Sequence, residues 1–284
     1  MPSIEEFYKF MTKREEVRIA KDSGAPYPWT TDPILQTYKF TNVKRLHDKT
    51  TQMLKTELYD KNRDAAPELQ LLNCAIARYF GTYEFILTLG FQEDFNPKLI
   101  KELAKDRLAS KERVFTGAYV ITNQGIKAPK QDVVVDYFLT DLWAAATDLC
   151  HIAYSSRSWE QFIDAMRKIQ GFGGTGFMAK EVTLDTFFTS VWKEPPFDLN
   201  IWSPCGPGAR RGLNRIYNRD IKAAKPEEQF LFEMQTIFAQ RGRLWPKKFI
   251  ELELHDIQFQ LCEYDKYLRV QNGEGRPRSK YKPK

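Results

Sequence analysis

Two carboxylates four residues apart, Glu181 and Asp185, follow directly on the glycine-rich run GFGGTGFMAK. On one helix such a pair shares a face and repels, at a cost of a few tenths of a kcal/mol. A purely structural helix has little reason to place them there. Their proximity should raise one pKa, which suits that carboxylate to taking a proton. Gly171, Gly173, Gly174 and Gly176 let the backbone come close to a ligand. The run is not a P-loop, whose lysine follows the last glycine at once and precedes Ser or Thr; here Lys180 stands beyond Phe177, Met178 and Ala179. Nor does a βαβ unit surround it, as a dinucleotide fingerprint requires. Helix, Gly-hydrophobic-Gly, helix is the pattern of a helix-hairpin-helix, in which backbone N–H groups hold a DNA phosphate without reading sequence. A plain turn between helices is the alternative.

A second candidate is CGPGARRG, Cys205 to Gly212. Gly206 and Gly208 flank a proline, Arg210 and Arg211 follow, and a helix is expected from Leu213. Loop amides with two guanidiniums suit a phosphate or pyrophosphate, which arginine grips bidentately; the alternative is a Gly-Pro turn with solvated arginines. Cys205 has no nearby base to make it a nucleophile. A third stretch, YKFTNVKRLHDKTTQML, gathers Arg45, Asp48 and Gln52 on one stripe of a helix that Asn42 or Thr41 would cap. An intrahelical Arg–Asp pair explains that stripe equally well. His255 has Glu251 one turn earlier, a partner that could make it a proton carrier or simply a surface pair.

The elements that must position these groups are helical. Residues 3–20 space Ile4, Phe7, Phe10, Met11 and Val17 at helical intervals until Gly24 and Pro26, and the connector GAPYPWTTDP follows. Apolar helical patterns recur over 69–90, Val133–Tyr154, Pro226–Arg241 and Pro246–Val270. Only Gly117–Lys130 reads as β-like, with Asn-Gln-Gly as a turn. The expected class is all-α with at most a short β-hairpin, one domain over 1–284 or two intertwined helical subdomains, and a basic flexible tail over 271–284.

The chain has 284 residues, 42% hydrophobic and 28% charged, with 20 Phe and 13 Tyr, enough to build a core. No apolar run approaches the roughly 20 residues of a membrane span, and the first residues lack the apolar core of a signal peptide. Four scattered cysteines indicate a reducing compartment and no structural zinc, so no metal ligand is assigned. The net charge of +6 is compatible with a polyanionic partner.

Taken together, PWTTDPIL, YKFTNVKRLHD, GFGGTGFMAKE, GPGARRGLNR and LELHDIQFQLCEYDKY with GEGRPR, spread over Arg14 to Arg278, resemble the α-glutamyl/putrescinyl thymine pyrophosphorylases, the amino acid:DNA transferases of bacteriophages. Cys205 departs from the pattern, which has a small aliphatic residue there. The resemblance implies a helix-hairpin-helix DNA glycosylase-like fold working in the host cytoplasm after a 5-hydroxymethyluracil DNA kinase. It implies displacement of pyrophosphate from an activated base by an amino acid or polyamine, with Mg2+ as the one candidate escort of the pyrophosphate. Under it, Arg210, Arg211, Gly206, Gly208, Asn214, Asn42, Arg45 and Lys180 bind pyrophosphate or DNA. Glu181 or Asp185 takes the amine's proton, with Asp48 and His255 as second choices. Two other readings stay open: a helical accessory module of the kind that accompanies 5-hydroxymethyluracil DNA kinases, and a glycosylase using Asp185 with Lys180.

Overall fold

The computed structural model describes residues 2–117, 119–277 and 279–281. It is all-helical, as expected: among the described residues there is no strand, and the only β pairing is two isolated bridges, Tyr38 with Lys280 and Gly81 with Phe115. The chain divides into two compact units. One is discontinuous, Met1–Asp48 with Leu199–Lys284; the other is the intervening Lys49–Asp198.

In the discontinuous unit, helix Ile4–Asp22 starts at Ser3, whose hydroxyl accepts the Glu6 amide. Its Phe7, Phe10 and Met11 are buried, and Phe7 meets Tyr264 edge-to-face at 5.4 Å. Tyr264 lies on helix Leu254–Gln271, which supplies Ile257, Leu261 and Leu268 to the same core; helix Glu227–Ala239 adds Phe230, Met234 and Ile237. The last helix begins eight residues later than its apolar spacing predicts. Glu253 and Asp256 form a capping box there, which satisfies the orphan amides at that point and fixes the start at Leu254. In the expected tail, Lys39 donates its amide to the Ser279 carbonyl at 3.0 Å and Tyr281 donates to Thr37 at 3.0 Å. Arg278 and residues 282–284 lie outside the described residues.

In the continuous unit, helix Pro67–Phe80 is central, with every residue from Gln70 to Phe80 buried. Its Gln70, Asn73 and Arg78 are buried together with its apolar residues, so other elements of the unit surround it. The long apolar pattern after 130 is a broken run: Lys130–Val133, a π segment Val134–Leu139, then Thr140–Ala144 and Ala146–Ser155. Helix Trp159–Met166 is capped by Ser158 and by the buried Asp198 carboxylate, which accepts the Trp159 amide at 2.9 Å and the Glu160 amide at 3.1 Å. Turns then lead through the glycines into helix Phe177–Thr186. The β-like stretch 117–130, allowed at most a short hairpin, contains no strand among its described residues. Asn123 ties its side chain to the Ala128 carbonyl at 2.7 Å, and Gln124 and Gly125 take φ of 50° and 84°. Local side-chain bonding replaces a ladder there.

Candidate functional site

The glycine hairpin and the carboxylate helix both lie in the continuous unit. Gly171 sits at φ 92°, where a Cβ would come within 2.6 Å of the Tyr79 hydroxyl and 2.7 Å of the Phe138 ring. Only glycine fits this position, and its amide donates to the Gln124 side chain at 3.3 Å. Gly176, at φ 70°, occupies the N-cap of the following helix. Between them the amides of Gly173, Gly174 and Thr175 donate to no acceptor among the described residues. Gly174 and Thr175 are exposed, and the Arg167 guanidinium braces the loop by donating to the Gly174 carbonyl at 3.1 Å. Lys168 is exposed beside it, and Phe177 is 40% exposed and edge-on to Tyr119 at 5.2 Å. This surface offers three backbone donors and a cation to an anion.

The two carboxylates have different surroundings. Asp185 is fully buried, and Arg78 grips both of its oxygens, with Nε 2.6 Å from Oδ2. The Tyr59 hydroxyl donates to Oδ2 at 2.9 Å, and the same guanidinium donates to Thr51 at 3.1 Å. Burial holds the Tyr59 hydroxyl well above its usual pKa, and the Asp185 charge adds to that. Asp185 thus ties together three helical segments distant in sequence, none of which its local sequence announces. Glu181 is 5% exposed, with the Lys180 ammonium 3.6 Å away. Lys180 is itself only 4% exposed.

The remaining candidates lie in the discontinuous unit. Asn42, Arg45 and Asp48 are not on one helix: a 3-10 turn covers Arg45–His47, and Asp48 is extended at φ −74°, ψ 130°. The helix breaks because Asn42 closes a loop, its amide donating to Asp48 at 3.2 Å and its side chain to the His47 carbonyl at 2.7 Å. Gln52, expected on the same stripe, belongs to the separate helix Lys49–Met53. Arg45 is 9% exposed, its guanidinium 5.7 Å from the Phe259 ring centre.

His255 is 5% exposed, and its neighbours are Glu253 and Asp256, each 3.6 Å from Nε2. Glu251, the expected partner, precedes the helix and lies within 3.8 Å of Arg241 instead. Glu253, His255 and Asp256 bring ligand atoms within 4.8 Å of one another. Lys44 already spans the two carboxylates, at 2.9 Å from Glu253 and 2.7 Å from Asp256. Burial works against that ammonium, yet the two carboxylates outweigh it and hold its pKa above the ordinary lysine value. The cluster is centred on an ammonium and is not an open cation cage.

CGPGARRG is largely helix, not loop: Pro207–Ile216 is helical from the proline onward. Gly208 and Gly212 let it lie against helix Leu254–Gln271. A Cβ on Gly212 would come within 2.9 Å of the Leu261 carbonyl carbon, and one on Gly208 within 2.8 Å of the Cys262 sulfur. The arginines have protein partners. Arg210 pairs with Glu227 and donates to the Cys205 carbonyl at 2.9 Å, while Arg211 donates to Asp265 at 2.8 Å. Arg215 takes the other Asp265 oxygen at 2.9 Å. Asn214 spends its amide on the Ile221 and Ala223 carbonyls. Gly206 is the N-cap, and burial pushes the Cys205 thiol up to about 12, far from a thiolate at neutral pH.

With this geometry in hand, comparison with known proteins is informative. Residues 1–276 match the family described as 5-hmdU DNA kinase, helical domain. A 5-hmdU DNA kinase of Bacillus phage SP10 is 26% identical over 274 residues, covering 86% of this chain and 41% of that protein. The chain therefore spans less than half the length of this relative. No solved structure matches. These matches overturn the expected amino acid:DNA transferase, since both the family and the relative are described as 5-hmdU DNA kinase. The stretch expected to hold pyrophosphate is a packed helix whose arginines have carboxylate partners. By its match over residues 1–276, this chain belongs to the family of 5-hmdU DNA kinase helical domains.

Proposed function

We propose that this chain is the DNA-engaging helical part of a 5-hmdU phosphorylating system. It holds DNA that carries 5-hydroxymethyl-deoxyuridine and presents the hydroxymethyl oxygen to a phosphate donor bound by another segment or protein. The family match over residues 1–276 carries this reading. A phosphate donor needs a cradle of amides with a cation free to reach it. The lysine that follows the glycine run, Lys180, is buried against Glu181. The glycine hairpin suits a different anion, a DNA backbone phosphate, through the amides of Gly173, Gly174 and Thr175 and the Lys168 ammonium.

Fluorescence anisotropy with a labelled duplex bearing one 5-hydroxymethyl-deoxyuridine tests the binding half; radiolabelled ATP tests the chemical half. The expected result is salt-dependent DNA binding and no label transfer by this chain alone, with transfer restored by a P-loop-bearing kinase segment. Label on the DNA from this chain alone, or no DNA binding at low salt, would overturn the reading.

A further inference from the structure

The connector that carries Tyr27 and Trp29 has no part in the hairpin, yet it builds an aromatic cluster at the surface of the discontinuous unit. Tyr27 and Trp29 meet at right angles with ring centres 5.3 Å apart, and Trp29 meets Tyr281 at 5.4 Å. Tyr27 is 39% exposed and Trp29 partly so. Lysines lie against the Tyr281 ring of this cluster and against the ring of Tyr38. The Lys21 and Lys39 ammoniums lie 5.9 and 5.8 Å from the Tyr281 ring centre, and Lys280 lies 5.6 Å from that of Tyr38. The pairing of residues 37–39 with 279–281 brings the last two together.

This cluster differs from the arginine-rich helix Pro207–Ile216 in its charge balance. There each guanidinium has a carboxylate, whereas Lys21, Lys39 and Lys280 have none within 4.0 Å among the described residues. The acidic neighbours are committed elsewhere: Asp22 bonds Arg18 at 2.9 Å, and Asp32 accepts from Tyr267 at 2.8 Å. Cations without a carboxylate partner, set beside partly exposed aromatic rings, match a polyanion with flat unsaturated groups between its charges.

We infer that Tyr27, Trp29, Lys21, Lys39 and Lys280 form a docking surface for single-stranded DNA, stacking bases on the rings and holding phosphates with the ammoniums. Duplex bases are stacked on one another and offer no free face, so only an unpaired stretch uses both halves of the surface. This rests on the reading that the chain engages DNA, and adds a second contact separate from the glycine hairpin.

The test compares a fluorescein-labelled oligothymidylate of about 15 nucleotides with a duplex of equal length. Two variants of the full chain are used, Tyr27→Ala/Trp29→Ala and Lys21→Gln/Lys39→Gln/Lys280→Gln. The aromatic variant should weaken single-strand binding about tenfold or more and leave duplex binding within about twofold. The lysine variant changes only exposed side chains, and should reduce the slope of log affinity against log salt for the single strand by about 2, at about 0.7 per phosphate contact. Equal weakening of both DNAs by the aromatic variant would reduce the surface to a charged patch that reads no bases, and so overturns the proposal. Unchanged single-strand binding in both variants, with duplex binding intact, overturns this proposal alone. A wild-type chain that binds neither DNA overturns both this and the underlying reading.

Discussion

Asp185 is fully buried, and its carboxylate is held by Arg78 and the Tyr59 hydroxyl. Removing one member of such a pair leaves an uncompensated buried charge, which costs about 3–5 kcal/mol, whereas replacing both with apolar groups costs far less. Arg78→Met and Asp185→Leu should therefore each lower stability by about that amount, and the double variant by less than the sum of the two. Urea titrations followed by circular dichroism check this; additive losses would show that the two residues do not act as a pair. His47 supplies a pH signature. Burial, with help from the Arg18 guanidinium, holds its imidazole below the ordinary value of 6.5. The folded chain thus keeps His47 neutral while the unfolded chain takes up a proton near 6.5. Its contribution is complete above that pH and is lost as pH falls toward the folded-state value. His47→Gln should flatten the decline in melting temperature between about pH 7 and pH 5; an unaltered decline would assign it to other groups. The partners of both residues lie in distant stretches of chain, which is why neither environment could be read from a one-turn spacing such as Glu181 to Asp185.

At the scale of elements, the glycines divide by what surrounds them. Gly212 faces the Leu261 backbone, which cannot move aside, whereas Gly242 has nothing within 4 Å of a Cβ. Gly212→Ala should cost about 1–3 kcal/mol through overpacking. Gly242→Ala, in helix Arg241–Leu244, should be neutral or stabilising by up to about 1 kcal/mol. Thermal unfolding distinguishes them, and equal effects would mean that helix Pro207–Ile216 does not depend on close approach. Sequence alone shows that a glycine is small and flexible, and a GPG run after a cysteine reads naturally as a loop. Whether the smallness serves a ligand or a neighbouring helix depends on Leu261 and Cys262, some fifty residues on. The glycine turn was more legible, because Gly171 to Gly176 interrupts two runs of helical periodicity and the turn is local. There Lys168→Glu should weaken duplex binding about tenfold and lessen its salt dependence, since a cation beside the free amides becomes an anion. Anisotropy at two salt concentrations measures this, and unchanged binding would place the DNA phosphates elsewhere.

For the molecule as a whole, helical class was readable because 3.6-residue spacing of apolar positions is a local property. The division into two units was not, because it depends on which distant helices meet. The core of the discontinuous unit joins Phe7 and Met11 to Leu254, Ile257 and Tyr264, a pairing no window of sequence reveals. The continuous unit contains its own fully buried helix and its own capping carboxylate, Asp198. Residues 49–198 expressed alone should unfold cooperatively in urea, whereas removal of residues 1–22 from the full chain should abolish the transition of the discontinuous unit. A non-cooperative 49–198 fragment would contradict this division.

The discontinuity also bears on synthesis. Residues 1–48 leave the ribosome well before the rest of their unit, and the helix that covers Phe7, Phe10 and Met11 begins only at Leu254. At about 5–20 residues per second, those side chains wait on the order of ten seconds or more for their partner. Throughout that interval the nascent helix Ile4–Asp22 is an exposed apolar surface. Slower translation of the intervening segment would prolong its exposure to chaperones and to other nascent chains.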